Sequence, residues 1–306
     1  MKKTNEKTFL ITGAKGQDGL LLSKLLIRKG HKVYGIIKRK NYFNYVKKVK
    51  YIQLNLSNKK KISSQLSKIR PNIVIHFGSS NPSYIEMKKK KNFYNKNFSD
   101  SKNLIDALLL SNKNAKFIFA NSAQIFKSRN IKKRVNEKSE FHKFNDYTKF
   151  RYDIFQYLKK MKKIFKFRFV NLILFNHDSR FRNSKFLIPR IVKYVKNEDF
   201  KSLDKIYQQN ISGDFSHAED ICNAIYLITK SKKSVDNLIL SSGKRTKINN
   251  LIKFLLRLSG LKYRFLTPKK SHQMVCGDNK LAKRILKWKF KKNIYIASKE
   301  IYKSKN

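Results

Sequence analysis

The first forty residues constrain this chain most. Thr8-Phe-Leu-Ile-Thr12 is a short β-rich apolar run that ends at glycines. From Leu20 to Arg28 apolar residues recur at helical spacing, Gly30 stops the run, and Lys32-Val-Tyr-Gly-Ile-Ile37 reads as a second strand. Strand, glycine turn, helix and strand within ~30 residues make a βαβ unit. The alternation persists. Tyr51–Leu54, Ile73–Phe77, Lys116–Ala120 and Phe167–Leu174 read as strands, and helical periodicity covers about 60–69, 96–110 and 147–162.

Such alternation predicts an α/β fold, a doubly wound parallel Rossmann sheet with a smaller C-terminal α/β substrate lobe. Residues 1–175 are expected to form the cofactor-binding domain and residues 176–306 mainly the lobe. Within the lobe, helices are expected near 187–196, 218–230, 247–258 and 291–303, and short strands near 203–207 and 237–241. No Pro/Gly linker and no internal repeat interrupts the chain.

The glycine turn carries the first functional signal. Gly13, Gly16 and Gly19 let the backbone turn tightly and approach a pyrophosphate, whose charge would meet the start of the following helix. The second strand runs into Lys38 and Arg39, where a NAD-selective site would carry a carboxylate for the ribose 2′-hydroxyl; two cations suit a 2′-phosphate, so NADP is expected.

Composition bears on partners. The chain has 306 residues, 41% of them hydrophobic, enough for a core, yet 72 Lys+Arg against 19 Asp+Glu give a net charge of +53. Lysines outnumber arginines about four to one and are spread from end to end, and the enriched residue types are those of an AT-rich coding sequence. No specific nucleic acid is therefore expected as a partner, although anionic substrates would be attracted. No apolar run approaches the ~20 residues that cross a bilayer, and the start of the chain lacks the apolar region of a signal peptide. With Cys222 and Cys276 the only cysteines, neither a disulfide framework nor a metal site is expected, and the chain reads as cytoplasmic.

Longer strings are more specific. Thr12-Gly-Ala-Lys-Gly-Gln-Asp-Gly19 resembles the TGxxGQDG turn of the GDP-mannose 4,6-dehydratase branch of the extended short-chain dehydrogenase/reductases. Val74-Ile-His-Phe-Gly-Ser-Ser80 is similar to the family segment that lines the cofactor, and Asn97 falls where the family has an Asn opening the next helix. Leu174-Phe-Asn-His-Asp-Ser-Arg180 is similar to the LFNHES segment, Asp214-Phe-Ser-His-Ala-Glu-Asp220 to RDWGHAxDY, and Cys276-Gly-Asp-Asn-Lys-Leu-Ala-Lys-Arg284 with Trp288 to GDxxKAKxxLGW.

In that family, the resemblance implies, a hydride leaves sugar C4 for NADP while a Tyr takes the 4-hydroxyl proton. A Ser or Thr hydrogen-bonds the same oxygen, and a Lys four residues after the Tyr lowers its pKa. Glu137 to Arg151 aligns with the family stretch ending in YxxxK, which places Tyr147 as base and Arg151 where Lys is expected. Phe119-Ala-Asn-Ser-Ala-Gln-Ile-Phe126 aligns with ASTSELYG, giving Ser122 the Ser/Thr role and putting Gln124 where a Glu would take the C5 proton. A guanidinium keeps the charge but not the shape of an ammonium, and an amide cannot act as a base. Glu86, Glu140 and Asp146 are candidate substitutes.

The expected cofactor set is Gly13, Gly16, Gln17, Asp18, Gly19, Lys38, Arg39, Asn55, Leu56, Phe77, Gly78, Tyr147, Arg151, Asn176 and His177. Ser80, Ser122, Asn176, Arg182 and Arg190 are the expected substrate contacts. The resemblance implies a 4,6-dehydratase acting on GDP-mannose, and a homo-oligomer. A 4-keto-6-deoxy-sugar reductase or epimerase, or a catalytically impaired NADP and nucleotide-sugar binder, are the alternatives raised by Gln124 and Arg151.

Overall fold

The structure is a computed structural model that describes residues 6–38, 45–79, 92–126, 134–268 and 271–304. Arg39, Ser80 and Glu86, three of the residues singled out above, lie outside the described residues.

Seven strands form one parallel sheet: β1 (Thr8–Thr12), β2 (Lys32–Ile37), β3 (Lys50–Gln53), β4 (Ile73–His76), β5 (Lys116–Ser122), β6 (Arg168–Leu174) and β9 (Asn237–Leu240), in the order β3-β2-β1-β4-β5-β6-β9. Side chains alternate between two apolar layers, as a strand buried on both faces requires. Phe9 and Ile11 face one layer and Leu10 the other; Ile118 and Ala120 oppose Phe117 and Phe119. Helices α2 (Lys59–Ile69), α3 (Phe93–Asn112) and α4 (Asp146–Phe165) cover one face through Ile62, Leu66, Leu104, Leu108, Phe150, Ile154 and Leu158. The opposite face is covered by α1 (Gln17–Arg28), by α7 (Ala218–Lys230) and, through Ala282, Leu286 and Trp288, by α9 (Lys280–Leu286) and the residues after it. Asn97 lies one turn into α3 rather than at its start, which is Phe93.

The smaller sheet is built on β8 (Ile211–His217), paired with β7 (Asn176–Asp178), β10 (Arg245–Lys247) and β11 (His272–Gln273). Around it pack α5 (Leu187–Lys196), α6 (Phe200–Tyr207), α8 (Ile248–Ser259) and α10 (Ile294–Lys303), with Ile191, Val195, Leu203, Ile206, Leu251, Leu255 and Ile301 at the centre. The strand expected near 203–207 is α6 instead. Asp199 caps it by accepting from the Ser202 N–H (3.0 Å), and Leu203, Ile206 and Tyr207 are buried at spacings of three and four. β8, where sequence periodicity predicts no element, is buried along its whole length.

Backbone contacts around the glycine turn fix the site. Gly13 has φ +69°, and Gly19 stands so close to the turn that a Cβ there would lie 2.4 Å from the Gly13 carbonyl oxygen and 2.7 Å from Ala14 Cα. Beneath the turn runs a buried chain of polar groups. The Gly78 N–H donates to Thr12 Oγ1 (2.8 Å), Thr12 Oγ1 lies 2.6 Å from His76 Nδ1, His76 Nε2 lies 2.9 Å from Ser101 Oγ, and Ser101 donates to the Asn97 carbonyl (2.7 Å). One direction satisfies every member: Thr12 donates to Nδ1, and Nε2–H donates to Ser101. His76, 1% exposed, is therefore a neutral imidazole, and burial, with the Arg151 cation second, pushes its pKa down to about 3.

Two outcomes follow. Gly19→Ala forces Cβ into backbone and is expected to cost at least about 2 kcal/mol in urea unfolding. The unfolded chain protonates His76 below its ordinary 6.5 while the native chain does not until about 3, so this residue makes stability fall as pH drops through that window. The His76→Gln variant, unfolded at a series of pH values, should show a shallower slope between those limits than the parent.

Candidate active site

Parallel strands deliver their C-terminal ends to one edge of the sheet, and there a cleft of about 2200 Å³ opens between the sheet and the smaller lobe. Single small-molecule sites occupy roughly 300–1,000 Å³, so this cleft has room for two ligands side by side. Gly13, Gly16, Gln17, Asp18, Gly19, Lys38, Phe77, Gly78, Ser122, Gln124, Tyr147, Arg151, Asn176, His177, Arg182 and Arg190 all line it. Asn55 and Leu56 do not: Asn55 caps the turn into α2 by accepting from the Ser57 N–H (3.1 Å), and Leu56 is buried in the core beneath α2 and α3.

At one end, Gly16 is the cap position of α1 and no side chain among the described residues caps the helix, which leaves the N–H groups of its first turn for a ligand. Lys15 and Lys38 flank this end of the cleft. Free helical N–H donors with two lysines beside them fit the pyrophosphate and ribose phosphate of a dinucleotide.

Gln17 and Asp18 turn their side chains elsewhere. Gln17 Nε2 donates to the His177 carbonyl (3.1 Å), and Ser179 Oγ donates to Gln17 Oε1 (3.0 Å). Asp18 pairs with His177 Nε2 (3.0 Å). The two strings that look independent in the sequence, around residues 12–19 and 174–180, thus bind each other. Asp214 joins the other two strings. Its buried carboxylate accepts from Ser242 N (2.8 Å), Gly243 N (3.0 Å) and Gly277 N (3.2 Å), and burial raises its pKa.

The centre of the cleft is set by β5 and α4. Asn145 caps α4 by accepting from Thr148 N (3.0 Å), while Thr148 Oγ1 accepts from Asn145 N (3.1 Å). This box starts the helix so that Tyr147 and Arg151, four residues apart, share its buried face. Arg151 is 4% exposed; it donates to the Ala120 carbonyl, and its guanidinium carbon lies 5.0 Å from the centre of the Tyr147 ring. Its buried Nε has no acceptor among the described residues. Ser122 Oγ accepts from Gln124 N (3.2 Å), the start of a single 3-10 turn.

Sequence reasoning missed Asn121. Its side chain accepts from Ser122 N (2.7 Å), donates to Asn171 Oδ1 (2.9 Å) and reaches the Arg151 carbonyl (3.4 Å); Asn171 in turn donates to Asn237 (2.9 Å). A ladder of three asparagines across β5, β6 and β9 ties the Ser122 turn to the helix of Tyr147. The signal is present in the sequence, since Asn121 and Asn171 interrupt apolar strands, where an amide is retained only with partners.

Among the described residues acids are scarce in the cleft. Asp18 and Asp178 line it, and each is paired, Asp18 with His177 and Asp178 with Arg182 (3.4 Å), whose guanidinium also stacks 3.6 Å over Phe186. Arg190 on α5 carries a buried Nε without an acceptor among the described residues. Glu140, which extends into solvent beside His142, and Asp146 in the first turn of α4 are not among the cleft residues. Among the described residues no group of His, Cys, Asp or Glu could hold a metal ion, and no helix is long and apolar enough to cross a membrane.

Comparison with known proteins agrees with this arrangement. Solved structures with the same fold include UDP-glucose 4-epimerase of Thermotoga maritima (TM-score 0.84, 17% identity, 96% of this chain and 97% of that one) and dTDP-glucose 4,6-dehydratase of Streptomyces venezuelae with NAD bound (TM-score 0.81, 12% identity, 96% of each chain). Curated relatives include GDP-mannose 4,6 dehydratase of Dictyostelium discoideum, 24% identical over 80% of this chain and 74% of its own length. GDP-mannose 4,6 dehydratase 1 of Arabidopsis thaliana is 23% identical over 92% of this chain and 85% of its own. The sequence model of the GDP-mannose 4,6 dehydratase family matches residues 10–300, and the chain is a member of that family, among the epimerase/dehydratase enzymes of the short-chain dehydrogenase/reductase class.

Proposed function

We propose that this protein is a nucleotide-sugar 4,6-dehydratase that converts GDP-mannose to GDP-4-keto-6-deoxymannose with tightly held NADP. The observation that carries the reading is that Ser122, Tyr147 and Arg151 line one cleft, with the Arg151 guanidinium carbon 5.0 Å from the centre of the Tyr147 ring. NADP, when bound, supplies the hydride acceptor for sugar C4. The free N–H groups at the start of α1 would hold its pyrophosphate, and Lys38, with Arg39, its 2′-phosphate. Arg182 and Arg190 would meet the diphosphate of the sugar nucleotide.

Within this reading Ser122 hydrogen-bonds the sugar 4-oxygen while Tyr147 accepts the 4-hydroxyl proton. The charge left on the phenolate is offset by Arg151, which the Ala120 carbonyl and three aromatic rings hold in place. Its planar head cannot follow the oxygen as an ammonium would, so its contribution is electrostatic.

One observation favours a second reading, a 4-keto-6-deoxy-sugar reductase or epimerase. Water loss needs a base for the C5 proton; Gln124 is an amide, and among the described residues the two carboxylates that line the cleft are already paired. An enzyme that moves only a hydride and the 4-hydroxyl proton needs neither.

Incubation of the protein with GDP-mannose and NADP, followed by mass spectrometry, separates them. Loss of one water supports the dehydratase; unchanged GDP-mannose with NADP bound refutes it in favour of the second reading, to be assayed with a 4-keto-6-deoxy sugar nucleotide and NADPH. Gln124→Glu is expected to raise the dehydration rate about 100-fold by restoring a base. Tyr147→Phe should lower hydride transfer about 10³-fold in either enzyme, measured as single-turnover change in nicotinamide absorbance. Retained transfer would remove Tyr147 from the chemistry.

A further inference from the structure

His177 is 6% exposed, and both of its ring nitrogens face oxygens. Nδ1 lies 2.6 Å from the Phe175 carbonyl, which can only accept. Nε2 lies 3.0 and 3.1 Å from the two oxygens of Asp18. An ionised carboxylate can only accept as well, so the arrangement is satisfied when both nitrogens carry hydrogen. The chemistry at Ser122 and Tyr147 gives this ring no task. Asp18 sits in the first turn of α1, at the glycine turn, whereas His177 begins the chain segment that leads through Asp178 to Arg182.

We propose that His177 is a positioning residue carried as a buried imidazolium, an ion that fastens the glycine turn to the segment bearing Arg182 and so sets both ends of the cleft at once. Its bearing on ligands rests on the cofactor reading above. A neutral ring would leave either the Phe175 carbonyl or the Asp18 carboxylate without its donor, and a carboxylate buried without a donor is expensive. Gln17 and Ser179 run alongside as a neutral second tie between the same segments.

The surrounding charges are consistent with the ion. Burial works against it, but the Asp18 carboxylate outweighs burial and raises the His177 pKa above 6.5, with Arg182 opposing. Burial would raise Asp18, and His177 outweighs it, holding that carboxyl below 3.8. The other titratable groups nearby are Asp178 on β7, Cys222 on α7, whose thiol meets the Asp18 carbonyl (3.7 Å), and His217 on β8, which pairs with Glu300 on α10 (3.0 Å). The folded ring thus holds its proton more tightly than the unfolded one. The tie is complete below pH 6.5 and is lost as pH rises through the raised value; at the acid end it is lost as pH falls through the lowered Asp18 value.

The test uses the full chain labelled with ¹⁵N, and the His177 ring is assigned by its absence in His177→Gln. At pH 7.5 both ring nitrogens of His177 are expected to be protonated, and Asp18→Asn should return the ring to a neutral tautomer. By hydrogen exchange, amides in residues 14–22 and 179–186 should lose protection at least tenfold together in Asp18→Asn, while those of α8 do not change. A neutral His177 ring in the parent protein at pH 7.5 overturns the proposal, as does unchanged exchange in both Asp18→Asn and His177→Gln. Calorimetric titration with NADP tests the cofactor end separately. A tenfold or greater loss of affinity in Asp18→Asn extends the proposal to that end. Absence of NADP binding by the parent sinks the cofactor reading and leaves the clamp to stand or fall on ring charge and exchange.

Discussion

Seven strands running the same way are the constraint on which the rest depends. A parallel sheet has all its C-terminal ends on one edge, and each strand must leave that edge through a loop before a helix returns it. The glycine turn after β1, Lys38 after β2, Gly78 after β4, Ser122 at the end of β5 and Phe175 after β6 therefore line one cleft, although Gly13 and Phe175 are far apart along the chain. Because both faces of the sheet are buried, the edge is also where polar side chains can work without breaking the core. The smaller lobe only has to cover that edge, and the Asp18–His177 pair joins it there.

Scarce acids shape the rest of the molecule. With 19 Asp and Glu among 306 residues, several are used as buried or half-buried acceptors rather than to balance surface charge. Asp214 gathers three backbone N–H groups, Asp220 takes those of Lys291 (2.8 Å) and Lys292 (2.6 Å), and Glu137 takes that of Ile239 (3.0 Å) on the edge strand β9. Each of these replaces water for a backbone donor that no strand or helix would satisfy. Lysines and arginines both line the cleft, and there the flat heads of the arginines stack, Arg182 on Phe186 and Arg151 among Phe119, Tyr147 and Phe150.

Much of this is legible in the chain because it depends on local spacing. Strand, turn and helix periodicity locates the sheet, and the order of short strings locates the glycine turn and the β5 and α4 segments. Spacing fails where tertiary contacts decide. Residues 203–207 carry apolar residues that suit a strand or a helix, and the Asp199 cap with burial against α5 and α8 chose the helix. Leu56, in the turn between β3 and α2, packs its side chain into the core beneath α2 and α3, a placement that spacing along the chain does not show.

The sequence by itself determined the parallel α/β sheet, the glycine turn and the pairing of Tyr147 with a cation four residues on, since each is a matter of period or of neighbours along one helix. Only the tertiary structure decided what those residues touch. It assigned Gln17 and Asp18 to His177 and Ser179 across 159 to 162 residues of chain, oriented Arg151 onto the Ala120 carbonyl, and recruited Asn121 into a ladder with Asn171 and Asn237. The physical reason is that a buried polar group must find a partner, and that partner is set by which elements pack together, not by position along the chain.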